Sequence, residues 1–267
     1  MLGAGRKALW AFKKGYSDRG PSLATSDAMT YEGNQAMVLW LALNGLLLVS
    51  AYLLGSMPPG YWAGRLLKGI DIREHGSGST GATNVLRTVG KAPALVVLLV
   101  DILKGAVAIA AVRWCYTVAE AQSLPLPTLD VAVWLPWMVT LVGMAALLGH
   151  SKSIFLGFTG GKSVATSLGV LLAMNWMVGA GTLAVFALVL AISRIVSLSS
   201  IAGAIAVSGF MMFTHQPLPY LLFGLLGGLY VILRHRANIQ RLLAGSEPRL
   251  GQPVPNATAS SLSETGE

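Results

Sequence analysis

The first candidate for chemistry is a glycine- and serine-rich segment that ends in an arginine. It runs from His75 to Arg87 and carries an amide side chain, Asn84, near its end. Glycine lets backbone N–H groups approach an anion closely, small hydroxyls add donors, and arginine supplies a forked positive charge. We interpret the segment as a phosphate cradle, and a flexible Gly/Ser linker is the alternative. Its candidate residues are Gly76, Ser77, Gly78, Ser79, Gly81, Asn84 and Arg87.

A second segment places a double glycine and a lysine directly before an apolar run. The run begins at Val164, and the four residues before it are Gly160, Gly161, Lys162 and Ser163. If the run is a helix, its first free N–H groups, the positive end of its dipole and the ammonium meet at one point. The pattern therefore predicts an anion site. The alternative, a loop lysine that only marks the edge of a membrane, suits Lys152 better than Lys162.

Two further polar clusters lie at the ends of apolar segments. Ser197 belongs to a serine-rich start, where a hydroxyl can cap a helix or bind a ligand. In the other cluster, one helical turn separates His235 from Asn238, which places both side chains on one face near Arg236. A positive flank at a membrane surface is the alternative for the arginines. We keep these four residues as candidates for substrate contact.

One pair of opposite charges lies inside an apolar segment. Asp101 and Lys104 are three residues apart, so a helix brings their side chains together. Ionisable residues within a membrane span tend to face the interior of the bundle and to pair with one another. A structural ion pair and a pair that lines a substrate site both remain open.

The amino-acid composition indicates what kind of protein carries these clusters. The chain is 54% hydrophobic and 11% charged, whereas a soluble domain carries about a quarter charged residues. A soluble fold is therefore excluded in favour of a membrane protein. The net charge of +8 is explained by basic cytoplasmic loops, so no nucleic-acid partner is expected. The single cysteine, Cys115, excludes an internal disulfide framework, and no His, Cys, Asp and Glu spacing predicts a metal site.

Hydropathy predicts an all-α integral membrane protein with about seven transmembrane helices and functional cytoplasmic loops. A break is expected in the first segment at Pro58 and Pro59. The fourth and fifth segments touch, and they form either one bent element or a pair with one partial span. The predicted segments cover about 37–67, 92–118, 133–148, 164–178, 179–192, 198–213 and 218–233.

The distribution of lysine and arginine predicts the orientation of these segments. Every second loop is basic, as is the stretch after the seventh segment, so these loops and the C-terminus are expected in the cytoplasm. Seven spans would then leave the N-terminus outside, although residues 1–36 are themselves basic. We expect 1–36 to be a disordered or membrane-surface extension, 37–250 to be the membrane domain, and 251–267 to be a disordered tail.

Taken together, the four clusters resemble the motifs of the bacterial acyl-phosphate:glycerol-3-phosphate acyltransferases, the PlsY family. The resemblance runs from about Val49 to Leu250 and includes a first-helix signature at 55–60. It implies a seven-helix enzyme of the plasma (inner) membrane with a cytoplasmic active site and no metal or other cofactor. The implied reaction moves an acyl group from acyl phosphate to the sn-1 hydroxyl of glycerol 3-phosphate, which gives lysophosphatidic acid in the first step of phospholipid biosynthesis. The implied partners are these two substrates, the bilayer and a functionally coupled enzyme that produces acyl phosphate.

The resemblance also implies residue roles. Ser79 departs from the family, which usually has asparagine there, and a hydroxyl is shorter than an amide side chain. The implied catalytic residues are Ser77, Arg87, Lys162, His235 and Asn238, and the implied substrate-binding residues are Gly76, Gly78, Ser79, Gly81, Asn84, Gly160, Gly161, Ser163, Ser197 and Arg236.

The sequence argues against two other functions. Glycerolipid acyltransferases with thioester donors carry a histidine followed five residues later by aspartate, and the four histidines here are instead followed by Thr80, Phe155, Tyr220 and Gln240. A transporter for phosphorylated metabolites would be expected to show internal repeats and polar breaks in both halves, and the sequence shows neither.

Overall fold

The computed structural model describes residues 23–121 and 130–252, with side chains from residue 34 onward. Most of the predicted N-terminal extension and of the predicted C-terminal tail lies outside these ranges. The first helix begins at Leu23, upstream of the start at residue 37 expected from hydropathy. The described residues form ten α-helices and two short 3₁₀ turns, so the all-α prediction is confirmed.

The helices follow one another through short connections. Two 3₁₀ turns, Ile72–Glu74 and Ile154–Leu156, lie in the loops that carry the first two polar clusters. The helices are α1 (Leu23–Ser56), α2 (Pro59–Lys68), α3 (Ala82–Thr88), α4 (Lys91–Ala121), α5 (Val131–Ser151), α6 (Val164–Met174), α7 (Trp176–Ser193), α8 (Val196–Phe213), α9 (Leu218–Arg234) and α10 (Arg236–Leu243).

Five stretches of helix in the described part of the chain are long and apolar enough to cross a membrane. A sixth is added if α9 and α10, which are bent by 63° at their junction, are taken as one span. The predicted count of seven is not confirmed. The fourth predicted segment is α6, whose 11 residues rise only about 16 Å, roughly half the thickness of a bilayer core.

Two helix boundaries follow from local side-chain chemistry. The first predicted segment breaks where expected, because α1 ends at Ser56 and Pro59 opens α2 at the position where its missing N–H costs nothing. The fourth and fifth segments are separate helices. The side chain of Asn175 caps α7 and accepts hydrogen bonds from the N–H groups of Met177 (3.0 Å) and Val178 (3.2 Å).

Glycines let the central helices pack backbone to backbone. A Cβ added at Gly149 of α5 would overlap the carbonyl oxygen of Tyr52 in α1. A Cβ added at Gly169 of α6 would overlap the carbonyl oxygen of Ile102 in α4. Small residues at membrane helix interfaces permit this close approach, which replaces the hydrophobic driving force available in water. The short helix α6 is thereby held against the middle of α4.

Candidate active site

A cavity of about 330 Å³ joins all four polar clusters. Its polar end is lined by residues of the first loop, the start of α6, the start of α8 and the junction of α9 with α10. The rest of its wall is apolar and includes Leu98, Leu168, Leu171, Phe186, Val207 and Phe223. The cavity is therefore amphipathic, with cationic and hydroxyl groups at one end and hydrocarbon at the other.

The first loop is shaped by the buried side chain of Asn84. Its Nδ2 donates to the carbonyl oxygens of Ile72 (3.1 Å), His75 (3.0 Å) and Ser79 (2.8 Å). Its Oδ1 accepts from the backbone N–H of Ser77 at 2.9 Å. All of these partners belong to the loop backbone, so the amide holds the loop in one shape.

Two glycines of this loop serve the turn and not the cavity wall. Gly76 and Gly78 have φ angles of +60° and +67°, a region that residues with a Cβ rarely adopt. Neither contributes to the cavity lining, whereas Ser77, Ser79 and Gly81 do. The glycine pattern thus lets the chain reverse so that the serines reach the cavity.

Arg87 brings a positive charge to the polar end from helix α3. It lines the cavity and is half-buried. Its guanidinium makes no hydrogen bond within the described residues. Burial lowers the pKa of Arg87, the Glu247 carboxylate opposes this effect, and the Arg241 charge adds to it. A fixed cation with free donors is suited to bind a phosphate.

Lys162 approaches the same point from the loop before α6. Its Nζ donates to Oδ1 of Asn238 at 2.6 Å. Burial lowers the pKa of Lys162 to about 8; Glu247 opposes this shift, and the charges of Arg241, Arg87 and Arg234 reinforce it. The ammonium therefore stands among cations that repel it, and a bound anion would relieve that repulsion.

The residue after Lys162 turns the chain into α6. Ser163 adopts a left-handed φ of +63°, which is uncommon for a residue with a Cβ. Its Oγ donates to the carbonyl oxygen of Leu147 at 2.8 Å, and this bond anchors the turn to α5. Val164 and Ala165 follow at the cavity wall, where the first N–H groups of α6 lack helical partners.

His235 is buried where α9 meets α10 and also lines the cavity. Its Nδ1 lies 2.7 Å from the carbonyl oxygen of Val231. A carbonyl oxygen only accepts, so Nδ1 carries a proton and a neutral ring leaves Nε2 as an acceptor. His235 and Asn238 both line the cavity, so the junction of α9 with α10 brings these two predicted residues to the same site.

Glu247 is a member of the site that sequence reasoning missed. Its carboxylate accepts hydrogen bonds from Ser197 Oγ (2.7 Å), Asn238 Nδ2 (2.6 Å) and Arg241 Nε (2.7 Å). Burial would raise the pKa of Glu247, but the bonds from Asn238, Ser197 and Arg241 hold it below its ordinary value. The sequence does hold one hint of its role: Glu247 is the first acidic residue after Asp130, in a region otherwise rich in positive charge.

The structure brings most of the predicted residues together and leaves some apart. Arg236 is exposed and does not line the cavity; Arg234 instead donates to the carbonyl oxygen of Gly161 at 3.1 Å. Gly160 and Gly161 form the turn before Lys162 without lining the cavity. The predicted residues on the cavity wall are Ser77, Ser79, Gly81, Asn84, Arg87, Lys162, Ser163, Ser197, His235 and Asn238.

The charged pair inside α4 is both structural and adjacent to the site. Asp101 Oδ1 lies 2.8 Å from Lys104 Nζ, and both side chains are buried. Asp101 borders the cavity, and so does His150, a residue that sequence reasoning did not select. Lys104 is outside the cavity lining and contacts His150 at 2.7 Å.

Comparisons of the sequence with known proteins show the family of this chain. The family model described as glycerol-3-phosphate acyltransferase matches residues 45–245. A glycerol-3-phosphate acyltransferase of a Nostoc species is 66% identical over 225 residues, which cover 84% of this chain and 100% of that protein. Its counterpart in Trichodesmium erythraeum is 61% identical over 220 residues, which cover 82% of this chain and 96% of that protein.

Two solved structures share the fold. The glycerol 3-phosphate form of PlsY (YgiH), an integral membrane glycerol 3-phosphate acyltransferase, matches with a TM-score of 0.67 at 34% identity over 84% of this chain and 99% of that one. The lysophosphatidic acid form of PlsY matches with a TM-score of 0.65 at 36% identity over 78% of this chain and 95% of that one. The resemblance inferred from the motifs is confirmed, and the chain belongs to the glycerol-3-phosphate acyltransferase family of integral membrane enzymes.

Proposed function

We propose that this enzyme transfers an acyl group from acyl phosphate to the sn-1 hydroxyl of glycerol 3-phosphate, with lysophosphatidic acid and phosphate as products. The observation that carries the proposal is the division of one cavity into a cationic end and a hydrocarbon end. The cationic end holds Arg87 and Lys162, and the opposite wall includes Leu171 and Phe223. Two phosphorylated substrates, one of them with an acyl chain, match this division.

The roles of the polar residues follow from their chemistry. Arg87 and Lys162 would neutralise the phosphates of the two substrates. The hydroxyls of Ser77 and Ser197 and the free N–H groups at the start of α6 would hold the donor and stabilise the negative charge that develops on its carbonyl oxygen. His235 and Asn238 would orient glycerol 3-phosphate, so that its hydroxyl lies close to the acyl carbon.

The reaction needs no covalent enzyme intermediate. The hydroxyl oxygen of glycerol 3-phosphate attacks the acyl carbon, the bond from that carbon to the phosphate oxygen breaks, and inorganic phosphate leaves. The hydroxyl proton passes either to a phosphate oxygen of the substrate or to Nε2 of His235. A His235→Gln variant separates these routes, because the glutamine amide keeps a polar group near Nε2 but is not a base. Retained activity in this variant would exclude the histidine route.

The donor assignment rests on the composition of the site. Acyl phosphate is already activated, so it needs charge neutralisation more than it needs a strong base. The cavity offers cations, hydroxyls and amides for that purpose. The His and Asp pair of thioester-dependent glycerolipid acyltransferases is missing at all four histidines of the chain.

We place the polar end of the cavity and the C-terminus on the cytoplasmic side of the plasma (inner) membrane. Arg65 and Lys68 at the end of α2 and Arg73 in the following 3₁₀ turn directly precede the His75–Arg87 segment that lines this end, and basic segments of this kind favour the cytoplasm. Acyl phosphate would then be delivered by a coupled enzyme that produces it. The acyl chain would enter the cavity from the bilayer.

A product assay on the detergent-purified protein tests the proposal. Palmitoyl phosphate and glycerol 3-phosphate are supplied without added metal, and palmitoyl-CoA replaces the acyl phosphate in a parallel reaction. We expect lysophosphatidic acid from acyl phosphate alone, and much slower product formation in Lys162→Ala. The exposed Lys152→Ala serves as the matched control and should retain activity.

The other outcomes of this assay are equally informative. Product from the CoA thioester alone would contradict the donor assignment. If a folded sample gave no product from either donor, uptake of glycerol 3-phosphate into proteoliposomes would be measured, and transport without acylation would overturn the proposal in favour of a transporter. NMR of the product shows which hydroxyl carries the acyl group. An acyl group on the sn-2 hydroxyl would contradict the sn-1 assignment.

A further inference from the structure

Three buried ionisable side chains below the active site have no part in the proposed reaction. Asp101, Lys104 and His150 are 1%, 4% and 7% exposed. Lys104 Nζ lies 2.8 Å from Asp101 Oδ1, 2.7 Å from His150 Nδ1 and 3.1 Å from the carbonyl oxygen of Met57. Ionisable groups are costly to bury at membrane depth, so their retention calls for a function.

The Asp101–Lys104 pair fixes the orientation of His150. His150 Nδ1 lies 2.7 Å from Lys104 Nζ and 3.3 Å from Asp101 Oδ1. The ring nitrogen accepts from the lysine in one tautomer and donates to the carboxylate in the other, so both tautomers are held at this edge. Asp101 also supplies the counter-charge to the buried ammonium. The pair thus holds His150 in one orientation.

The other edge of the imidazole supports the turn before Lys162. A Cβ added at Gly161 would overlap Nε2 of His150, and the N–H of Gly161 donates to the carbonyl oxygen of His150 at 3.2 Å. From the other side, Arg234 Nη2 donates to the carbonyl oxygen of Gly161 at 3.1 Å. Gly161 is therefore held between the imidazole of His150 and the guanidinium of Arg234.

We propose that His150 is a positioning residue for the anion site, held by Asp101 and Lys104 so that its imidazole fixes the Gly160–Gly161 turn and with it the ammonium of Lys162. The proposal rests on the phosphate-binding role given to Lys162 under the proposed function. It connects Asp101 and Lys104 in the middle of α4, through His150 of α5, to Lys162, the residue proposed to contact the substrate. His150 itself need not touch the substrate for this role.

A double-mutant cycle of His150 and Gly161 tests the proposal. The two positions are coupled because the His150 imidazole occupies the space that a Cβ at position 161 would need. We measure KM and kcat for His150→Ala, Gly161→Ala and the double variant, alongside Lys162→Ala. Each single variant should raise, by about tenfold or more, the KM of the same phosphate substrate that Lys162→Ala affects, with a smaller change in kcat. In the double variant the new methyl group fills the vacated space, so KM should lie below the product of the two single effects.

Two controls separate the positioning role from a folding defect and from an error in the donor assignment. Each variant is checked for monodispersity and melting temperature in detergent, and His150→Asn, which keeps an acceptor for Lys104, replaces His150→Ala if the latter does not fold. The comparison uses whichever acyl donor the wild-type enzyme accepts, so an error in the donor assignment leaves it intact. An unchanged KM in a folded variant of His150, or single effects that simply multiply in the double variant, would overturn the positioning role.

Discussion

The carboxylate of Glu247 accepts a hydrogen bond from the Asn238 amide at 2.6 Å, and the same amide accepts one from Lys162 at 2.6 Å. Asn238 thus links Glu247, which follows α10, to Lys162 in the loop before α6. The side chain of Glu247 is 4% exposed. A negative charge therefore already lies beside the cationic end of the cavity before any substrate binds, and it lowers the repulsion among the surrounding cations.

Glu247→Ala should destabilise the enzyme because it removes the shared acceptor of Ser197, Asn238 and Arg241. Hydrogen bonds to charged groups contribute about 1.5–3 kcal/mol each, so the loss should be at least about 2 kcal/mol. Thermal unfolding in detergent measures it, with the exposed Glu120→Ala as the matched control. Equal melting temperatures for the two variants would show that Glu247 does not hold the site together.

The pH profile should report the ionisation of Lys162. Its pKa is lowered to about 8, so the ammonium is present below that pH and is lost as the pH rises through it. Because kcat/KM reflects the free enzyme, we expect it to fall above about pH 8. Arginine stays charged across this range, so the fall should be absent from whatever activity Lys162→Arg retains. A flat wild-type profile between pH 7 and 9 would contradict the assignment.

Phe223 should set the length of acyl chain that fits the deep end of the cavity. Ser197 and Val207 of α8 both line the cavity, and their separation of ten positions along the helix corresponds to a depth of about 15 Å. Phe223 contributes to the wall from α9 and is 2% exposed. Phe223→Leu removes ring volume there, so kcat/KM should shift towards longer acyl phosphates by several fold. The exposed Phe213→Leu is the control, and an identical chain-length profile in both variants would exclude this role.

Gly169→Ala should disrupt the contact between α6 and α4. The added methyl group would overlap the carbonyl oxygen of Ile102, and a backbone atom cannot move aside as a flexible side chain can. Overpacking of this kind costs about 1–3 kcal/mol or more, so we expect a lower melting temperature and weaker activity. Gly45→Ala is the matched control, because its Cβ would meet nothing within 4 Å. Equal stability of the two variants would show that the helices separate without cost.

Much of this protein was determined by local sequence. Membrane insertion follows from the apolar runs, because the bilayer selects for composition over about 20 residues whatever the tertiary fold. The break at Pro58 and Pro59 follows from proline geometry. The prediction of an anion site at the loop that carries Lys162 rests on glycine, lysine and a helix start, which are neighbours in the chain.

Distant contacts account for what sequence alone did not reveal. A hydropathy window measures composition and not packing, so the sequence left open whether the fourth segment was part of a bent element or a partial span. The structure shows a separate short helix, α6, that packs against α4 at Gly169. The roles of His150 and Glu247 depend on partners 46 and 50 residues away, Lys104 and Ser197. These two hydrogen-bonded pairs form only when the helices pack together, because no local sequence pattern specifies which buried donor will contact which acceptor.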